Sequence, residues 1–262
     1  MPPATTPAPL DRPKRILITG ASSGIGAALA SAYAETGVGL LLGGRDPSRL
    51  AAIAEICRRH GAEVEAQAID VVDAPAMRGW IEAADDRAPL DLVIANAGIS
   101  AGTGGGGESE AQTRAIFAAN IDGVANTVWP ALRRMEQRGR GQIALMSSLA
   151  AFRGFPGAPA YCASKAAIRV WGEGLRGEYL AKGVAVSVVC PGYVETPMTA
   201  VNDFPMPFLM SAERAARIVK RGLARNRARI AFPLPMYVAA WLLGVLSPAL
   251  TDPLLARLPK KR

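Results

Sequence analysis

The sequence predicts an α/β fold with a parallel sheet that carries helices on both of its faces. Short apolar runs alternate along the chain with longer stretches of helical periodicity, which is typical of such a doubly wound sheet. Apolar residues make up 50% of the 262 residues, enough for one large buried core. We therefore expect one sheet built from successive strand–helix units.

The predicted elements follow one another in regular order. The strands are expected at residues 15–19, 38–43, 62–69, 90–96, 141–147, 184–190 and 228–232. The helices are expected at residues 24–36, 47–60, 74–86, 109–138, 159–181 and 211–225. Ligands of a doubly wound sheet bind beyond the carboxyl ends of its strands, so we expect function at that edge.

Three regions are predicted along the chain. Residues 1–13 are rich in proline and lack the apolar stretch of a signal peptide, which indicates a disordered lead-in. Residues 14–232 carry the sheet, and residues 193–212 within them are expected to form a substrate lid. Residues 233–262 are expected to form an apolar helical tail, in which prolines leave fewer than the ~20 apolar residues that a membrane-spanning helix needs.

The charge and the cysteines limit the classes of partner. A net charge of +8 is consistent with binding of a polyanionic cofactor, with binding to an anionic membrane surface, or with a role in solubility alone. Nucleic-acid binding is not indicated, because no recognised nucleic-acid-binding motif accompanies the charge. Cys57, Cys162 and Cys190 are far apart, so neither a disulfide framework nor a metal site is expected. We expect a cytoplasmic protein, with peripheral contact at the inner membrane face left open.

A glycine-rich stretch, "TGASSGIG" at residues 19–26, follows the first predicted strand and precedes a helix. The free N–H groups at the start of a helix favour an anion such as phosphate. The stretch lacks the lysine of nucleoside triphosphatase loops, so a dinucleotide pyrophosphate suits it better. The alternative is an ordinary strand–helix turn, since turns also use glycine.

A tyrosine and a lysine stand four residues apart on the fifth predicted helix. Tyr161 and Lys165 therefore project from one face, and an ammonium beside a phenol should lower the phenol's pKa from about 10. Such a tyrosine can act as a general acid or base near neutral pH. Ser148, at the end of the fifth strand, could meet a substrate oxygen. The alternative is an unremarkable surface pair.

Together these motifs resemble the short-chain dehydrogenase/reductase family in its single-domain type. The similarity runs over about residues 14–232. It rests on "TGASSGIG", "NAG" at 96–98, "NIDG" at 120–123, the Ser148, Tyr161 and Lys165 set, and "PGYVET" at 191–196. The resemblance implies a Rossmann fold with seven parallel strands. It also implies hydride transfer between a nicotinamide dinucleotide and a carbonyl compound or secondary alcohol.

The resemblance also implies the catalytic roles. Tyr161 would exchange the proton with the substrate oxygen, and Ser148 would orient that oxygen. Lys165 would lower the pKa of Tyr161 and bind the nicotinamide ribose, while Asn120 would hold a water that links Lys165 to solvent. Ser147 competes for the serine role, but the family's interval to the tyrosine selects Ser148, and Ser147 should point to the other face of the strand.

The cofactor contacts are implied in the same way. Asp70 would accept a hydrogen bond from the adenine amino group, and Thr196 would contact the carboxamide. The pyrophosphate turn would consist of Gly20, Ser22, Ser23, Gly24, Ile25 and Gly26. The remaining contacts would come from Val71, Asn96, Ala97, Gly98, Pro191, Gly192 and Val194, together with Tyr161 and Lys165.

The end of the second strand bears on the choice between cofactors. Enzymes that prefer NAD usually carry an acidic residue there, which binds the ribose 2′-hydroxyl. Here Gly44 occupies that place and is followed by Arg45, whose planar guanidinium suits a 2′-phosphate. We therefore favour NADP(H), while the nearby Asp46 keeps NAD(H) open. The alternative for Arg45 is an exposed loop arginine.

The composition of the lid indicates the substrate class, and that of the tail bears on membrane contact. The stretch "MTAVNDFPMPFLM" at 198–210 is largely apolar and flexible in composition, which favours a bulky hydrophobic ketone or aldehyde. Basic residues at 214–229 precede the uncharged stretch 230–251, so a basic helix beside an apolar one could rest on a membrane. The alternative is a solvated basic face with a tail buried against the subunit or its partner.

Assembly and rival functions complete the expectations. In the resembled family the helices at 109–138 and 159–181 commonly pair between subunits, which implies a homodimer or homotetramer. A small-residue stripe on the second of these helices would serve either that pairing or the intrachain core. It consists of Ala163, Ala167, Val170, Trp171 and Gly174. The rival functions are a non-catalytic dinucleotide-binding regulator and an epimerase or dehydratase of the longer family type.

Overall fold

A computed structural model describes residues 12–100 and 107–256 of the chain. The predicted lead-in therefore lies almost entirely outside the described residues. So do most of the glycine-rich loop at 102–107 and the last six residues of the tail.

Seven strands form one parallel sheet, as predicted, and most strand ends lie within one or two residues of the expected positions. The strands are β1 (Arg15–Thr19), β2 (Gly39–Gly44), β3 (Glu63–Ala68), β4 (Leu92–Ala95), β5 (Gly141–Met146), β6 (Val184–Pro191) and β7 (Arg229–Phe232). Their order in the sheet is β3-β2-β1-β4-β5-β6-β7. The chain thus winds outward from β1 to β3 and then returns to β4 beside β1, which places a topological switch point between β1 and β4.

The helices of the described residues include all those predicted. They are α1 (Gly24–Tyr33), α2 (Pro47–Arg59), α3 (Ala74–Arg87), α4 (Glu110–Phe117), α5 (Gly123–Gln137), α6 (Pro159–Tyr179), α7 (Pro197–Ala200), α8 (Ala212–Ala224), α9 (Leu234–Val245) and α10 (Pro248–Leu255). The single helix expected at 109–138 is divided into α4 and α5 by a π turn at Ala118–Asp122. The short helix α7, inside the expected lid, was not predicted.

Two apolar cores hold the helices on opposite faces of the sheet. Because side chains alternate along a strand, Ile16 and Ile18 of β1 face a core shared with α1, α2 and α8, while Leu17 faces a core shared with α3, α5 and α6. This is the doubly wound Rossmann arrangement, and the predicted fold class is confirmed.

The tail helices lie on the same face of the sheet as α6. Ala240 of α9 packs with Val188 and Cys190 of β6, whereas α8 packs against α1 on the opposite face. The expected surface of a basic helix beside an apolar one is therefore wrong, because the sheet separates α8 from α9. In the described part of the chain, every helix is too short or too polar to cross a lipid bilayer.

Candidate active site

A cleft opens at the carboxyl edge of the sheet, over the switch point between β1 and β4. It brings together all the predicted site residues except Gly26 and Asn120, which lie just behind its wall. Its lining includes Gly20, Ser22, Ser23, Gly24, Ile25, Arg45, Asp70, Val71, Asn96, Ala97, Gly98, Ser148, Tyr161, Lys165, Pro191, Gly192, Val194 and Thr196. The carboxyl ends of six strands, β1 to β6, and the loops after them thus meet in one cavity.

The glycine turn after β1 is packed too closely for side chains. A Cβ atom on Gly26 would lie 2.2 Å from the carbonyl oxygen of Gly20, and one on Gly20 would lie 2.8 Å from Cα of Ala97. Asn96 Nδ2 donates hydrogen bonds to the carbonyl oxygens of Thr19 (3.0 Å) and Gly20 (3.2 Å). The turn is therefore fixed to the end of β4, and its backbone is left open toward the cleft.

Helix α1 starts directly at this turn, and its first residues, Gly24 and Ile25, line the cleft. Ser23, the residue that precedes the helix, makes no capping hydrogen bond through its side chain. Gly24 adopts a positive φ of 55°, and a Cβ atom there would lie 2.9 Å from Thr196 Cγ2. The turn can therefore hold an anion at the start of α1.

Ser148 and Tyr161 form the polar centre of the cleft. The Ser148 side chain lies close enough to the Tyr161 phenol to lower its pKa, and Ser148 Oγ lies 3.5 Å from the carbonyl oxygen of Pro191. Ser147 points away, as predicted, because its hydroxyl is buried and donates to the carbonyl oxygen of Lys165. Ser148 is therefore the serine that can reach a bound oxygen atom.

Lys165 and Asn120 are buried beside this pair. Lys165 Nζ donates to the carbonyl oxygen of Met146 at 3.0 Å, and burial lowers its pKa to about 8. The Asn120 side chain is held by the backbone of Ile99 on both of its polar atoms, and its Nδ2 also donates to Ser164 Oγ at 3.0 Å. Its role as holder of a water stays a prediction.

The direction expected for the Tyr161 pKa is wrong. Burial raises the pKa of Tyr161 to about 12, and the neighbouring Ser148 side chain opposes that rise only in part. Lys165 Nζ lies 5.8 Å from the centre of the tyrosine ring and is engaged with Met146, so it does not offset the loss of hydration. The phenol is therefore held in its protonated form at neutral pH.

The far end of the cleft is basic. Arg45 is exposed at the cleft wall just after β2, and Arg49 lies near it. Asp46 also lines the cleft, but its carboxylate caps α2. It accepts hydrogen bonds from the backbone N–H groups of Ser48 (3.1 Å) and Arg49 (3.0 Å) and from Arg49 Nε (2.7 Å). A Cβ atom on Gly44 would lie 3.2 Å from Ser22 Oγ, so an acidic residue has little room there.

The sequence profile described as short chain dehydrogenase matches residues 14–204 of the chain. The chain belongs to this family. It is therefore an NAD(P)-dependent dehydrogenase/reductase, and the cleft at the switch point is its candidate active site.

Known proteins that resemble this enzyme match it over most of its length. An uncharacterised oxidoreductase of Myxococcus xanthus is 39% identical over 243 residues, which are 92% of this chain and 96% of that protein. The ketoacyl reductase HetN of a Nostoc species is 34% identical over 198 residues, which are 75% of this chain and 69% of that protein. A short-chain dehydrogenase from Sphingobium yanoikuyae, solved in complex with NADPH, has a TM-score of 0.76 and 26% identity, with 95% of this chain and 97% of that chain covered.

The active site of this dehydrogenase fits a nicotinamide dinucleotide. The glycine turn leaves a cradle that Cβ atoms at Gly20 or Gly26 would fill, and the start of α1 suits a pyrophosphate. At Gly98 the absent side chain leaves room beside Lys165, because a Cβ atom there would lie 3.3 Å from Nζ. Gly98 and Lys165 therefore border the space that a ribose would occupy.

Glu108 contributes to the active site and was not predicted from the sequence. Its carboxylate accepts hydrogen bonds from the backbone N–H groups of Ala160 (2.5 Å) and Tyr161 (3.3 Å) at the start of α6. The residue that precedes this helix, Ala158, has no side chain able to cap it. Glu108 therefore serves as a remote cap that fixes the helix turn carrying Tyr161.

Proposed function

We propose that this enzyme uses NADPH to reduce a bulky hydrophobic ketone or aldehyde to the alcohol. The observation that carries the proposal is the placement of the Ser148 and Tyr161 side chains beside each other in the cleft, between a basic end and an apolar lid. Two relatives agree with this assignment: one is named a ketoacyl reductase, and one was solved with NADPH.

The chain's own residues would bind and protonate the carbonyl oxygen. Ser148 Oγ donates a hydrogen bond to that oxygen and so orients the carbonyl between itself and Tyr161. Bound NADPH supplies the hydride for the carbonyl carbon. Tyr161 gives its phenolic proton to the oxygen as negative charge develops there, which leaves the alcohol and a phenolate. Lys165 binds the ribose beside Gly98, and Asn120 helps return a proton from solvent.

The basic end of the cleft supports NADPH over NADH. A 2′-phosphate needs a cation with donors in a plane, and Arg45 stands exposed where the second strand ends. A ribose 2′-hydroxyl needs a free carboxylate, whereas the Asp46 carboxylate is already engaged by Ser48 and Arg49. In a cell NADPH drives reduction, so we assign that direction.

The pH dependence of the reverse reaction tests the protonation state of Tyr161. Alcohol oxidation requires the phenolate, and burial raises the pKa of Tyr161 to about 12. We expect kcat/KM for oxidation to rise by up to about tenfold per pH unit from about pH 7 to about pH 10, without a plateau. Steady-state rates with NADP and a secondary alcohol measure this. A plateau that begins near pH 7 would show that Lys165 lowers the pKa after all.

The substrate class is supported by the apolar lid. Val201, Phe208 and Leu209 expose large apolar side chains beside the cleft mouth, and Met198 lines the cleft itself. We expect kcat/KM to climb along a series of 2-alkanones, because each buried methylene contributes about 0.8 kcal/mol. NADPH consumption measured along the series is the test. A flat series, or a preference for sugars or charged acids, would contradict a hydrophobic substrate.

Assembly as a homodimer or homotetramer is proposed from the outward face of α6. Ala163, Ala167, Val170 and Gly174 are exposed, so the alternative that this stripe packs into the intrachain core is wrong for these four residues. The fifth, Trp171, packs against Trp129 of α5 with the ring centres 5.9 Å apart and the rings tilted, and Trp129 is itself 41% exposed. Light scattering at micromolar concentration should show an oligomer, and a stable monomer would contradict it.

The catalytic residues and the tail also bear on the rival functions and on membrane contact. The intact set of Asn120, Ser148, Tyr161 and Lys165 disfavours a non-catalytic regulator, which would have no use for it. Membrane contact through the tail and the cytoplasmic location stay predictions. Because the sheet separates α8 from α9, the basic face of α8 and the apolar helix α9 do not form one combined surface for membrane binding.

A further inference from the structure

The tail helices are docked on the chain segment that immediately follows Ser148. That segment forms a short 3-10 turn, Leu149–Ala151, and continues into Phe152 and Arg153. Leu149 is buried in a small core with Val188 and Cys190 of β6 and Ala240 of α9. The C-terminal helices therefore contact the chain segment that follows Ser148.

Phe152 is the main contact of this docking site. Its ring packs edge-on against Tyr237 of α9 at 5.4 Å, and the guanidinium groups of Arg169 and Arg229 lie over it at 4.8 and 5.4 Å. Arg229 Nη1 also donates to the hydroxyl of Tyr237 at 2.9 Å. The ring is thus held by aromatic and cation–π contacts from three different elements.

Two further contacts fix the backbone and the far end of the tail. A Cβ atom on Gly244 of α9 would lie 2.3 Å from the carbonyl oxygen of Phe152, so the two backbones touch directly. Arg153 Nη2 donates to Thr251 Oγ1 at 3.0 Å and to Asp252 Oδ1 at 2.6 Å in α10. Both α9 and α10 are therefore attached to residues 152–153.

The tail contacts of Phe152 lie close to Ser148 along the chain. Ser148 Oγ accepts a hydrogen bond from the backbone N–H of Ala150 at 3.1 Å, so the hydroxyl is part of the same 3-10 turn. Only the three residues of that turn separate Ser148 from Phe152. A shift of the Phe152 carbonyl is therefore transmitted to the hydroxyl that must meet the substrate oxygen.

We propose that the C-terminal helices act as a positioning element for catalysis, with Gly244, Tyr237 and Thr251 holding the turn that places the Ser148 hydroxyl. The inference rests on the proposed function of Ser148 in carbonyl reduction. It gives the tail a role in turnover that is separate from any membrane or subunit contact made by its outward face.

The substitution Gly244→Ala tests this role. Its Cβ atom would meet a backbone oxygen, so the turn must move. We expect kcat with the best 2-alkanone to fall about 10- to 100-fold, because a misplacement of about 1 Å can cost 10²-fold. The Kd for NADPH should stay within about twofold, since Gly244 does not line the cleft. The matched control is Gly79→Ala in α3, where a Cβ atom would meet nothing within 4 Å.

The rate per bound cofactor separates positioning from general damage. A displaced Ser148 should lower kcat per NADPH-binding site, while the number of sites per chain, counted by fluorescence titration, stays that of the parent protein. A merely structural defect would lower the number of sites and leave kcat per site in place. An unchanged kcat per site in Gly244→Ala, relative to Gly79→Ala, would overturn the proposal.

A second variant covers the case in which Gly244→Ala fails to fold. Thr251→Val keeps the side-chain shape and removes both hydrogen bonds from Arg153 to Thr251. We expect faster amide hydrogen exchange at residues 149–153 in the full chain and a smaller fall in kcat. Exchange equal to that of the parent protein would contradict the proposal. If the parent protein reduces no 2-alkanone, the proposed function fails, and the exchange measurement alone decides whether the tail holds the turn.

Discussion

Replacement of Tyr161 by Phe should abolish most carbonyl reduction while leaving the fold and NADPH binding nearly intact. The substitution removes only the phenolic hydroxyl, which lies beside Ser148, and keeps the ring. The proton donor is then lost, and a general acid contributes about 10²–10⁴-fold to the rate. We expect kcat to fall by that factor, measured as NADPH consumption with the best 2-alkanone.

Tyr179→Phe is the matched control for that experiment. Tyr179 belongs to the same helix, is buried, and lies at the end of α6 away from the cleft. Tyr179→Phe removes the same phenolic oxygen at a position outside the cleft, so the turnover of this variant should match that of the parent enzyme. Near-parental turnover in Tyr161→Phe would refute the proposed mechanism, whereas equal losses in both variants would indicate damage to α6.

The second large effect is expected at Arg45. Arg45→Ala should weaken NADPH binding by about 10- to 150-fold and leave NADH almost unchanged, because a charge-assisted hydrogen bond contributes about 1.5–3 kcal/mol and only NADPH carries the 2′-phosphate. Fluorescence titration of both cofactors into parent and variant measures the two Kd values. Arg59→Ala, an exposed arginine at the other end of α2, is the control for loss of general positive charge. Equal weakening of both cofactors by Arg45→Ala would rule out a 2′-phosphate contact.

The fold could be predicted because its signals are local. Each strand of the parallel sheet is a short apolar run such as "RILIT" or "VAVSVVCP", and the glycine turn marks where β1 ends. The positions of Ser148, Tyr161 and Lys165 followed from motif spacing together with the alternation of side chains along β5. These features need no knowledge of which distant segments meet.

The features that could not be predicted all depend on distant contacts. Glu108 caps α6 across 52 positions of sequence, and no local pattern connects the two. The direction of the Tyr161 pKa depends on how deeply the phenol is buried, which the i,i+4 pairing with Lys165 does not reveal. The opposite placement of α8 and α9 depends on which face of β7 each helix covers, and hydropathy alone does not distinguish these faces.

The narrow space at Gly44 has an evolutionary consequence. Conversion to NADH would require an acidic side chain at this position, but its Cβ atom would press on Ser22 at 3.2–3.3 Å. Gly44→Asp therefore requires Ser22 to move by a few tenths of an ångström, while Asp46 cannot substitute without uncapping α2. Under the proposed NADPH preference, a change of coenzyme by this route is easier when Ser22 is replaced by a smaller residue at the same time, so the order in which substitutions arise affects whether the lineage can change coenzyme.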